Sequence, residues 1–365
     1  MGNLRYKLYY FFRRIFNKLK LSPYTVRFIF KSRPLRITEG EVLQLLSAYH
    51  PDNGKSSIRN YPVKKNILYD VQIIVPVFNV EKYLDKCLES LINQEFTGSY
   101  VITIVNDGST DRSVEILKKY ENNSLCEIIH KENGGLSSAR NKALENIKGK
   151  YLYFVDSDDF IPSNALQNLF SVAENSGSQV VYGPYQRVDS NNEILSTYFP
   201  RRDKIKGCIG GKLFDSSLFD NLIFPDKYWF EDIIVSMIIG AKTLKFSYIN
   251  DIIYYYRDNF NGISRKAEGN LKMIDTLYGT KRMLDDIVNS GRSFTEYDYD
   301  IYLEQVRMNR NRIETLKNNE INKLAFYFHC LMSRRFKGFS TKDRKLKFIE
   351  WALNNNNYAA YNLGI

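Results

Sequence analysis

The 365-residue sequence has few of the residues that build metal clusters and disulfide frameworks: four cysteines and three histidines. Cys87, Cys126, Cys208 and Cys330 form no Cys-x-x-Cys pair, and His50, His130 and His329 are scattered. Neither a zinc site nor a set of bridges is expected, and a reducing compartment fits. No run of about 18 apolar residues is present, so no transmembrane helix is expected. The first residues lack the unbroken apolar core and small-residue cleavage site of a secretory signal. Acidic residues are missing from the first 38 positions, which hold ten Lys or Arg. The other 327 positions hold 42 basic against 41 acidic residues, so the net charge of +11 is almost wholly an N-terminal property.

What is present argues for a folded chain. Hydrophobic residues make up 44%, with 27 Tyr and 23 Phe, too many for wholesale disorder. The length suits one large α/β domain with extensions, or two domains. In residues 1–37, Leu4, Leu8, Phe11, Phe12, Ile15 and Leu19 recur at helical spacing, while Arg13, Arg14, Lys18 and Lys20 fall mostly elsewhere. That pattern suits a helix lying on an anionic membrane surface, or one docked on the protein's own body. Residues 38–66 read as a short helix over 41–49 and then a polar linker.

From residue 71 strands and helices alternate. Strands are expected at 71–77, 101–105, 127–130, 151–155 and 180–182, with helices at 80–94, 113–120, 136–147 and 163–175. Strands separated by single helices imply a parallel sheet with right-handed crossovers. Ligands then bind at the carboxyl ends of the strands. Four consecutive strand ends carry turn-forming or acidic clusters: Pro76-Val77-Phe78-Asn79, Asn106-Asp107-Gly108-Ser109-Thr110-Asp111, Asn133-Gly134-Gly135 and Asp156-Ser157-Asp158-Asp159. Asp107 can accept hydrogen bonds from a base edge, and Phe78 offers an aromatic face. The two glycines let backbone approach a ligand. Arg140, one turn into the next helix, can face a diphosphate. Three aspartates together are costly unless something positive sits among them, and a hard divalent cation that bridges phosphates is the usual answer.

These four segments, with Leu136-Ser137-Ser138-Ala139-Arg140-Asn141 following the glycines, resemble glycosyltransferase family 2 in order and spacing. The resemblance covers roughly residues 70–265, about half of the chain. It implies a GT-A fold, a Rossmann-like α/β domain that binds a nucleoside-diphosphate sugar, usually a uridine one. Carried over, Pro76, Phe78 and Asp107 would hold the nucleoside, and Asn133 and Arg140 the nucleotide or diphosphate. Asp156 would approach the ribose, and Asp158 would ligate Mn2+ or Mg2+. Tyr228-Trp229-Phe230-Glu231-Asp232 looks like the family's acidic pair at the start of an acceptor-side helix. A carboxylate there can deprotonate an acceptor hydroxyl, with Asp232 favoured over Glu231. Tyr254-Tyr255-Tyr256-Arg257 and Gly262-Ile263-Ser264-Arg265 resemble a segment that folds over the diphosphate, with Arg257 the candidate for leaving-group charge and Lys212 a weaker one.

The expected layout is an N-terminal extension and linker at 1–66, the GT-A domain at 67–265 and a helical region at 266–365. The expected activity is inverting transfer from a UDP-sugar to a glycan or lipid-linked acceptor. The expected setting is the cytoplasmic face of a membrane, where lipopolysaccharide, O-antigen or capsule is built. A sugar nucleotidyltransferase would need a glycine-rich turn after the first strand, where Pro76-Val77-Phe78-Asn79 has no glycine. A nucleic-acid binder would need a recognition motif beside the basic segment, and none is seen.

Overall fold

The computed structural model describes residues 34–59, 63–259, 262 and 267–363. All but the last four residues of the cationic segment 1–37 lie outside them, as do Ile263, Ser264 and Arg265. The chain divides into two units: Asn53–Ala267 with Arg282–Gly291, and Met1–Asp52 with Glu268–Lys281 and Arg292–Ile365.

In the first unit the alternation takes the form β1 (Lys64–Val77), α2 (Leu84–Ile92), β2 (Tyr100–Asn106), α3 (Ser113–Lys118), β3 (Cys126–His130), α4 (Leu136–Ala143), β4 (Asn146–Phe154), α5 (Ala165–Ser176) and β5 (Val180–Tyr182). Label α1 belongs to Glu39–Tyr49 of the other unit. Further strands are β6 (Tyr185–Val188), β7 (Ile194–Tyr198), β8 (Lys212–Asp215), β9 (Phe246–Tyr248) and β10 (Tyr254–Arg257). Seven of them form one sheet in the order β3-β2-β1-β4-β8-β5-β9, and three form a small sheet in the order β10-β6-β7. The large sheet is mostly parallel and flanked by helices. Alternate residues of β1, β2 and β4 and the inward faces of α2 and α5 close its core around Ile73, Val75, Ile102, Tyr153, Leu88 and Leu169.

The register aligns the chemistry. Val77 pairs with Asn106, Asn106 with His130, and Ile74 with Phe154, so four strand ends lie along one edge. Pro76 lies two residues beyond Ile74, the last residue paired with β4, so its missing N–H breaks no bond to that strand.

Two details depart from the expectation. The helix read over 136–147 stops at Ala143, and β4 begins at Asn146. The cause is the exposed first half of β1, which offers partners to Asn146 and Ile147 through Lys64 and Lys65. Gly149 permits that close pairing, since a Cβ there would lie 2.4 Å from the Gln72 nitrogen. The second departure is β8, which runs antiparallel between β4 and β5.

The second unit is helical, as expected for the C-terminal region. It holds α1, α7 (Glu296–Glu314), α8 (Asn319–Ser333), α9 (Lys347–Asn354) and α10 (Tyr358–Leu363); α6 (Asp275–Asn289) belongs to it as far as Lys281. Thr38 and Thr295 form capping boxes with Glu41 and Asp298 at the starts of α1 and α7. A neutral polar network crosses the core. Asn309 accepts from Thr276 and Gln305 and donates to Thr280, and its amide nitrogen lies 3.2 Å from the His329 Nε2. The other His329 nitrogen lies 3.0 Å from the Tyr361 hydroxyl. Burial, with Arg310 nearby, pushes His329 down to about 3 and keeps the ring neutral. No helix of the described residues is long and apolar enough to cross a membrane.

Candidate active site

The first turn after β1 leaves the sheet at Phe78, which is 49% exposed, and at Asn79, whose φ of 51° suits an asparagine. Asn79 ties this turn to the next by accepting from the Thr110 N–H at 2.7 Å. At the end of β2 the buried Asp107 accepts from the N–H groups of Gly134 at 3.0 Å and Gly135 at 2.7 Å, and from Lys131 Nζ at 2.5 Å. The Asn133 amide donates to the Asp107 carbonyl at 3.0 Å. Asp107 and Asn133 are therefore brought together, and the carboxylate shapes the glycine loop. Gly108 makes the approach possible: its φ is 73°, and a Cβ would stand 2.9 Å from the Asn133 nitrogen.

The loop delivers α4, and α4 delivers Arg140. This fully buried guanidinium donates to Asp156 at 2.6 Å through Nη2 and to Glu231 at 2.5 Å through Nη1. Its plane also lies over the Phe224 ring, 5.2 Å from the centroid. Burial works against its charge, but Asp156 and then Glu231 outweigh that and raise its proton affinity. Expected at a diphosphate, Arg140 is found clamped between one carboxylate of the strand edge and one of the later acidic pair.

The acidic turn divides its labour. Asp159 is buried and accepts from the Tyr254 hydroxyl at 2.7 Å and the Arg257 N–H at 2.7 Å. The same hydroxyl accepts from the Asp156 N–H at 3.1 Å. Asp158 accepts from the Asn259 amide at 2.9 Å. Burial, and then the charge of Asp156, push the Asp158 carboxyl above its ordinary range; burial with Asp158 and Asp156 does so more strongly at Asp159. Arg257 is buried. Its Nε donates to the Asp158 carbonyl at 2.8 Å and its Nη1 to the Asp189 carbonyl at 3.2 Å. The guanidinium also stacks over Tyr83 and Phe160, at 4.8 and 5.3 Å from the ring centroids. Tyr254 lies in the segment read as folding over the diphosphate, whereas Asn259, and Tyr83 beneath the Arg257 guanidinium, carried no signal in the sequence.

The acidic pair follows a strained approach. Lys227 and Phe230 have φ of 68° and 65°, in the region that side chains other than those of Gly, Asn and Asp avoid. Glu231 is buried, and burial raises its carboxyl although Arg140 opposes the shift. Asp232 is half-buried. The helix that follows contains a π-helical turn at Val235–Ile239, a form concentrated at functional sites. Lys212, at the start of β8, is buried and donates to the Cys208 carbonyl at 2.5 Å; burial pulls its ammonium down, against the pull of Cys208 and Asp232.

Five carboxyl groups, at Asp156, Asp158, Asp159, Glu231 and Asp232, thus share their surroundings with three buried cations, Arg140, Lys212 and Arg257. Counted formally, the carboxyls outnumber the cations by two, and the oxygen donors of Asp156 and Asp158 suit a hard divalent cation. Among the described residues no three His, Cys, Asp or Glu side chains converge as a ligand cage. All four cysteines are free.

Residues 72–219 match the family described as Glycosyl transferase family 2, and that segment lies in a unit with the GT-A fold that the resemblance implies. Glycosyltransferase GlyA of Streptococcus pneumoniae is 32% identical over 219 residues, 53% of this chain and 31% of that protein. The poly(ribitol-phosphate) beta-glucosyltransferase of Bacillus spizizenii is 34% identical over 202 residues, 51% of this chain and 32% of that protein. The uncharacterized glycosyltransferase EpsJ of Bacillus subtilis is 30% identical over 53% of this chain and 62% of its own length. The chain thus spans about a third to three fifths of these relatives. The crystal structure of S. aureus TarS 1-349 in complex with UDP superposes with a TM-score of 0.62 at 20% identity, over 80% of this chain and 89% of that one, a likeness of fold.

Proposed function

We propose that the chain is an inverting glycosyltransferase. It moves a sugar from a uridine diphosphate sugar to a hydroxyl of a glycan or lipid-linked acceptor during assembly of a bacterial surface polysaccharide. The names of the relatives support the product class, and the UDP bound to TarS supports the donor. One observation carries the mechanism: Arg140 binds Asp156 and Glu231 at once and so joins the donor edge to the acceptor pair.

The division of roles follows from that clamp. Pro76, Phe78 and Asp107 border the place of the nucleoside, with Asn133 and the glycine loop beside the diphosphate. Asp156 lies toward the ribose. Glu231 has one oxygen committed to Arg140, which leaves Asp232 as the base that takes the acceptor proton. The attacking oxygen approaches from the face opposite the diphosphate, and a single displacement inverts the anomeric carbon. Arg257 braces the acidic turn through the Asp158 carbonyl and so aims that side chain. Bound at Asp158, Mn2+ or Mg2+ would neutralise charge on the departing diphosphate.

The deciding experiment is a hydrolysis screen of nucleotide sugars with Mn2+ and with chelator. Hydrolysis of a uridine donor that the chelator stops, and that Asp158→Ala abolishes, is expected. Hydrolysis indifferent to Asp158→Ala overturns the assignment. Residues 1–37 are proposed to hold the enzyme on an anionic membrane. Their deletion should release it from anionic vesicles, and undiminished sedimentation with the vesicles refutes that.

A further inference from the structure

Three tyrosines from three strands share one face of the small sheet. Tyr185 of β6 pairs with Tyr198 of β7 on one side and with Tyr254 of β10 on the other. Tyr256, two residues along β10, therefore points to the same face as Tyr185. The Tyr185 ring lies 4.9 Å from Tyr198 and 6.4 Å from Tyr256, centroid to centroid. Tyr198 is 47% exposed, and the other two are half-buried. Arg187 stands on this face as well, opposite Tyr256 in the register, and its guanidinium bonds Asp258 at 3.0 Å.

The composition selects a ligand class. An aromatic face carries partial negative charge and attracts C–H groups, while phenol hydroxyls, a guanidinium and a carboxylate offer hydrogen bonds around it. A pyranose ring has that complementary form, with C–H bonds on its faces and hydroxyls on its rim. An acyl chain would need aliphatic contacts and no polar partners.

The platform is continuous with the candidate centre. Strand β10, which carries Tyr256, also carries Tyr254 and Arg257, the two residues that grip Asp159. Tyr254 pairs with Tyr185 in the register and so lies on this face, and its hydroxyl bonds Asp159 and the Asp156 N–H, so the face borders the acidic turn.

We propose that Tyr185, Tyr198 and Tyr256 form a carbohydrate subsite that stacks a pyranose unit of the acceptor glycan beside the acidic turn. The proposal rests on the transferase reading above. It commits the acceptor to a sugar ring near the reacting hydroxyl and excludes a bare polyol phosphate or lipid tail there.

The test is saturation-transfer NMR on the full chain with methyl β-D-glucopyranoside and methyl β-D-galactopyranoside, with ribitol phosphate as a ring-free control. Transfer from aromatic protons to at least one pyranoside, and none to ribitol phosphate, is expected. Tyr198→Ala and Tyr256→Ala should each weaken binding roughly tenfold, the effect of losing one ring contact, and Tyr198→Phe should restore most of it. Melting curves establish that the variants fold. No transfer to either pyranoside, equal transfer in wild type and in folded Tyr198→Ala, or a defect of Tyr198→Ala in binding phosphatidylglycerol vesicles instead of sugars overturns the subsite. Donor hydrolysis by the unaltered chain separates the two readings. Pyranoside binding without hydrolysis upholds the subsite and sinks the transferase; hydrolysis without pyranoside binding does the reverse.

Discussion

Two polar clusters lie inside this protein, and they obey opposite rules. In the helical unit Asn309, Thr276, Thr280, Gln305, His329 and Tyr361 are neutral, their donors and acceptors answer one another, and one cation, Arg312, donates to Thr276 at 2.9 Å. In the α/β unit five carboxyl groups share three buried cations and are left with negative charge in excess. The first is closed and serves the fold. The second is the place proposed above for a ligand that would offset its charge. Burial alone does not distinguish a functional polar cluster from a structural one; charge balance does.

Four substitutions sharpen that contrast, and the largest effect is expected where charge is least balanced. Asp158→Asn should lower metal-supported donor hydrolysis by roughly 10³-fold, the scale of losing a charge-stabilising group in the transition state. Its melting temperature should hold or rise, because one of several repelling carboxyls is gone; a marked fall would mean the acidic turn is structural. Arg140→Met strands Glu231 and Asp156 and should cost about 3–5 kcal/mol in chemical denaturation. Adding Glu231→Gln should recover part of that loss, and strict additivity would break the clamp. Asp232→Asn should reduce kcat by about 10²-fold with little change in donor KM, and Glu231→Gln should cost less. Equal losses at the two positions would reopen the choice of base.

The last effect belongs to the closed cluster and is read by pH. His329 ordinarily titrates near 6.5 but is held at about 3 in the fold. Between those values the unfolded chain binds a proton that the folded chain refuses. The stability is therefore complete above 6.5 and declines as pH falls toward 3, by up to about tenfold in the folding constant per pH unit. His329→Gln should flatten this part of the wild-type profile measured by thermal melts. Glu231 bears the opposite sign: burial raises its carboxyl, so acid relieves rather than strains it.

Much of the donor half was readable along the chain. Buried strands announce themselves as short apolar runs, and ligand turns fall where those runs end, so the strands near 71–77, 101–105 and 180–182 and the turns at Asp107, Asn133 and Asp156 could be placed. The rest depends on pairings between distant segments. Strand β8 is four residues whose partners lie 30 or more and 60 or more positions earlier in the chain. The clamp joins Arg140 to Glu231 across 91 positions, and Tyr254 reaches Asp159 across 95. The early start of β4 depends on its pairing with β1, which overrides a helical periodicity. No local pattern encodes such closures.

The position of β8 in the sheet has a consequence for how the protein is made. Strands β3, β2, β1 and β4 can pair as soon as residue 154 has left the ribosome, but β5 cannot join them until β8, at Lys212–Asp215, arrives to stand between. The acidic turn then waits for Tyr254 and Arg257 before Asp159 is held. A nascent chain therefore owns a half-sheet long before it owns a centre, and a product ending short of residue 254 would fold in part and remain inert.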